Sequence, residues 1–124
     1  MADHKDEVMR ELTFAISVVY SILVDVCGAL PVPIGLPTDQ HIPAESVYPA
    51  IQRVTDLAGD QPMGDLQGIQ LYSGCIHILA AIDLYALCTA RYMDTRAEGC
   101  SANLLAAEQE LKALALWRVI NAAD

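Results

Sequence analysis

Between Val8 and Leu30 apolar side chains return every three or four positions. Val8, Leu12, Ala15, Ile16, Val19, Leu23, Val26 and Leu30 share one side of a helix, with Arg10, Thr13, Ser17, Ser21 and Gly28 opposite. This period predicts a first helix from Asp3 to about Ala29, its opening turns carrying Asp3, Asp6 and Glu7, where the helix dipole favours acids. Pro31 and Pro33 end it, because proline lacks the donor a helix needs and disfavours helix in the residue before it.

Pro31 to Pro43 (PVPIGLPTDQHIP) holds four prolines and the apolar Val32, Ile34, Leu36 and Ile42, so it is predicted to pack against the helices. It reads either as a stiff strap or as a functional loop. A second helix is predicted to open with Ser46 as its cap, to hold Pro49 in its first turn and to end at Ala58 before Gly59. After a turn at DQPMG, a third helix is predicted from Asp65 to Ala97, with Gly99 as its stop. Ser101 would then cap a fourth helix reaching Ala122. The fold expected is all-α: one domain, residues 1–124, a compact bundle of about four helices with a proline-rich connecting loop.

The third helix is predicted to bury Ile69, Leu71, Cys75, Ile76, Ile78, Leu79, Ile82 and Met93. Gln70, Ser73, His77, Tyr85, Cys88, Arg91 and Tyr92 fall on its other side. Tyr85, Arg91 and Tyr92 there suit either a contact surface or an ordinary solvated back face. Asp83 falls in phase with Ile76, Leu79 and Leu87, inside the apolar stripe. That position predicts a buried acid paired with another helix, or an acid in a ligand pocket.

The fourth helix carries two stripes. Leu104, Ala107, Leu111, Leu114 and Ala115 form one; Leu105, Ala113, Leu116, Trp117 and Ile120 form the other, roughly opposite. Two stripes imply two neighbours, so this helix is either central or meets another chain. The second option predicts a homodimer through the last helix, formed by Leu105, Leu116, Trp117 and Ile120.

Composition narrows the function classes. A hydrophobic fraction of 54% excludes a disordered chain. Sixteen acidic against seven basic residues give a net charge of -9, which argues against nucleic acid, where affinity comes from Lys and Arg on phosphates. Leu12 to Leu30 is long enough to span a bilayer. Its polar half, the absence of basic flanks and Gln70, His77 and Asp83 in the second apolar run argue against insertion. The start, MADHKDEVMRE, lacks the pattern of a secretory signal, and Cys27, Cys75, Cys88 and Cys100 have no CxxC spacing. Free thiols in a cytoplasmic protein are therefore expected.

Nucleotide, hydrolase and zinc-protease signatures are absent, and no cofactor or metal site is predicted. His4, Glu7 and Glu11 could share a side, but at a solvated helix start. Cys75 and His77, two residues apart, point to different sides of a helix. The function expected is a non-enzymatic protein–protein interaction module: a small acidic adaptor, inhibitor or neutralising partner that self-associates. A small-ligand domain with a pocket near Asp83, or a membrane-associated protein, are the alternatives.

Overall fold

Each helix is built where period and capping chemistry agree. α1 (His4–Gly28) starts on Asp3, whose carboxylate accepts the Asp6 N–H at 2.9 Å and so satisfies one of the free donors of the first turn. The computed structural model describes residues 3–38 and 45–121; the remainder of the Pro31–Pro43 loop and the last three residues lie outside them. α2 (Val47–Leu57) runs into a short 3-10 turn, Ala58–Asp60. Ser46 precedes it as expected but makes no side-chain capping bond. α3 spans Asp65–Ala90 and α4 spans Asp94–Asn121. The described residues thus form an all-α bundle of four packed helices.

The boundary between α3 and α4 corrects the sequence expectation. α3 stops at Ala90 and not at Ala97, and α4 begins at Asp94 and not after Ser101. Arg91 is extended (φ −153°, ψ 106°), which breaks the helix. The Arg96 guanidinium then donates to the Arg91 carbonyl (2.8 Å) and, at 3.3 Å, to the Leu87 carbonyl, which also accepts the Arg91 N–H at 2.8 Å. Asp94 supplies the acid that the α4 dipole favours. Gly99, read from sequence as a stop, sits inside α4 for a packing reason: a Cβ there would lie 3.1 Å from Leu84 Cδ1.

Hydrogen bonds fix the topology. Thr13 meets Tyr85 at 2.8 Å, so the start of α1 lies against the end of α3 and the two run antiparallel. His4 lies 3.5 Å from Asp94, and Arg118 Nε donates to the Ala29 carbonyl at 2.6 Å, so α1 and α4 run parallel. α3 packs against each of the other three helices. Ile16, Leu23, Ile51, Leu71, Ile78, Leu111 and Leu114 fill the space between them and are fully buried. α1 and α3 are each long and apolar enough to cross a membrane by length and composition; each gives part of its apolar residues to this shared core and leaves others, such as Phe14, Leu66 and Ile69, exposed.

The described part of the loop is a strap held at four points. Ile34 is buried and its N–H donates to Cys27 O at 3.0 Å; Tyr20 donates to Pro37 O at 2.6 Å. Arg53 donates to Gly35 O at 3.1 Å. The buried Gln61 amide closes on both backbone groups of Val32, at 3.0 and 2.7 Å, as a neighbouring strand would.

Candidate interaction surfaces

The inner face of α4 follows its first predicted stripe. Ala97, Cys100, Leu104, Ala107, Leu111 and Leu114 are all buried. Close approach to α3 needs Gly74, where a Cβ would stand 3.0 Å from Leu111 Cδ2. A polar station interrupts this seam. His77 Nδ1 lies 2.9 Å from Asn103 Oδ1 and its Nε2 lies 3.4 Å from Glu110 Oε1, while Asn103 Nδ2 donates to Gly99 O at 2.8 Å. The two His77 contacts join α3 to α4, and the amide bond holds Asn103 to its own helix.

The outer face of the same helix is open and carries a broken apolar row. Leu105, Leu116, Val119 and Ile120 are 57%, 62%, 73% and 68% exposed, with Ala113 exposed between them. Between Leu105 and Leu116 the face is polar: Gln109 and Lys112 lie there, with Lys112 paired to Glu108 at 2.6 Å. Of the residues expected on this face, Leu105, Leu116 and Ile120 are there. Trp117 is not: it is half-buried, and its helix turn faces Ile22, Val26 and Leu30 across a groove of about 250 Å³ at the end of α1. Val119, absent from the predicted stripe, is the most exposed of the group.

The expected Tyr85–Arg91–Tyr92 patch does not assemble. Tyr85 is half-buried and hydrogen-bonded to Thr13, which ties α3 to α1. Tyr92 donates to Asp94 at 2.7 Å within the α3–α4 turn, and this bond to a carboxylate holds its phenol up to about 12. Arg91 is exposed, but its carbonyl serves the cap of α3.

The predicted faces of α3 also need correction. Cys88, expected on the polar side, is buried, whereas Ile69, Ile76 and Met93, expected inside, are exposed. Asp83 is exposed rather than buried, because the stripe it shares with Ile76 and Leu87 is itself an open face. It accepts the Tyr48 hydroxyl at 3.0 Å across the α2–α3 groove. Desolvation, and after it the Asp83 carboxylate, raise the Tyr48 phenol above its ordinary value.

All four cysteines are free and buried. Burial pushes the Cys27 thiol up to about 12 and raises that of Cys75 as well, so these sulfurs pack as small apolar groups. Among the described residues no three His, Cys, Asp or Glu side chains gather as metal ligands. Comparison with protein-family models, with curated proteins and with solved structures returned no match.

Proposed function

We propose that the chain is a non-enzymatic interaction module that self-associates through the outer face of α4. The observation that carries this reading is the run Leu116, Val119 and Ile120, three large aliphatic side chains largely in solvent on one turn of helix. Contiguous exposed apolar surface of this kind marks contact sites, because water gains when it is covered. A two-fold partner is the simplest occupant, since one patch then covers another like it. Antiparallel crossing of two α4 helices between Lys112 and Ala113 sets Leu105 of each copy opposite Ile120 of the other. Four side chains supply only part of the roughly 800 Å² per partner of an ordinary interface, so Gln109 and Lys112, on the face between Leu105 and Leu116, are covered with them. In this reading the protein is an acidic adaptor, inhibitor or neutralising partner, and its net charge of -9 suits a basic target surface.

Light scattering after size exclusion tests the dimer. Leu116→Glu and Ile120→Glu are each expected to convert it to monomer while leaving the helical circular dichroism unchanged. Variants that unfold instead would show that this face is internal to the fold.

A further inference from the structure

We infer that the open face of α3 is a docking groove for a basic amphipathic helix of a partner protein. The inference rests on the chain being an interaction module, and uses a helix other than the α4 dimer face. Along α3, Leu66, Ile69, Tyr72, Ile76, Asp83 and Leu87 recur at three- and four-residue steps or their sums, so they lie in one stripe. Its five apolar members are between 41% and 62% exposed. From Leu66 to Leu87 the stripe is about 31 Å long at 1.5 Å per residue, enough to seat a helix of five turns or more.

Its shape and charge select the occupant. Two open grooves flank the stripe where α2 and the 3-10 turn meet α3, one of about 560 Å³ beside Tyr48 and Asp83 and one of about 440 Å³ beside Ile69 and Tyr72. Acids surround it: Asp56 and Asp65 line the two grooves, Asp60 is exposed on the 3-10 turn, and Asp83 stands within the stripe. No Lys or Arg occurs in α3 between Asp65 and Ala90. Of the seven basic residues, Lys5 and Arg10 are on α1, Lys112 and Arg118 on α4, and Arg91 and Arg96 at the α3–α4 turn. Arg53, on α2, donates to the strap at Gly35. An apolar stripe with acids beside it and one within it matches a helix with aliphatic residues at i, i+3, i+4 and i+7 and Lys or Arg beside them. Nucleic acid and anionic membranes are repelled by the same acids, and a second copy would bring its own to them.

The test uses the full chain and a synthetic helix of about eighteen residues, leucine on one face and lysine on its flanks. A scrambled peptide of identical composition is the control. Titration is followed by fluorescence and by NMR of the labelled protein, with the oligomeric mass measured in the same samples. Saturable binding is expected, with shifts concentrated at Leu66, Ile69, Tyr72 and Ile76 and at least tenfold weaker binding of the scrambled peptide. Ile69→Ser with Ile76→Ser should weaken binding tenfold or more. Asp56→Asn, Asp65→Asn and Asp83→Asn together should weaken it similarly and flatten its salt dependence, a second route should the isoleucine variant not fold. Equal binding of the scrambled peptide, shifts confined to α4, or preference for phosphatidylcholine vesicles over the peptide would each overturn the inference. A chain that forms the α4 dimer yet ignores the peptide refutes the groove and leaves the dimer standing.

Discussion

Leu104 and Leu105 are neighbours in sequence and of one chemical kind, yet the first is 3% exposed and the second 57%. The contrast runs the length of α4. Its inner face closes on α1 and α3 through Cys100, Leu104, Leu111 and Leu114, and its outer face offers Leu105, Leu116, Val119 and Ile120 to solvent. Aliphatic content alone therefore does not say which face makes the core. What separates the two is the steric detail opposite: Gly74 beneath Leu111 and Gly99 beneath Leu84 let α3 and α4 approach on one side only.

The largest difference between the faces should appear on truncation. Leu111→Ala opens a cavity against Gly74 and should cost about 3 kcal/mol in denaturant unfolding. Leu116→Ala should change the stability of the monomer by less than about 0.5 kcal/mol. Equal costs would erase the distinction between the faces.

Adding a methyl should give effects of opposite sign at two glycines. Gly74→Ala gains helix propensity but drives its Cβ to 3.0 Å from Leu111, so a net loss of about 1 kcal/mol is expected. Gly28→Ala meets nothing within 4 Å at the end of α1 and should gain about 0.5 kcal/mol. Thermal melts of both variants check the pair.

Thiol chemistry sharpens the comparison further. Burial, and after it the nearby Cys88, push Cys100 up to about 11 from 9.0. The folded chain then holds this proton more firmly than the unfolded one. The resulting stabilisation is complete below about pH 9 and is lost as pH rises from 9.0 to about 11. At neutral pH Cys100 should resist maleimide until the protein unfolds, whereas a Ser101→Cys variant, one residue along on an exposed position, should label at once.

These contrasts also show what the sequence makes legible. α1 was readable to within a residue at each end, since one apolar side, an acidic first turn and two prolines all agree. α4 was readable in phase, and its second stripe was visible apart from the exchange of Trp117 for Val119. α3 was not. It touches three helices and also carries an apolar stripe on its open face, so its period carries little phase; this is why the sequence puts Cys88 and Asp83 on the wrong faces. The α3–α4 break was hidden because Gly99 resembles a stop and is instead a close-packing residue. The actual break is made by an extended Arg91 and by Arg96 reaching back across the turn to the Leu87 and Arg91 carbonyls, neither of which has a recognisable sequence signature.

The most direct measurement is sedimentation velocity of the wild-type chain beside Leu116→Glu across a concentration series. The wild type is expected to sediment at twice the 13.4 kDa chain mass and the variant at the chain mass, with equal unfolding midpoints once both are monomeric. A wild type that stays at 13.4 kDa at every concentration would contradict the assignment of the outer face of α4 as the site of self-association.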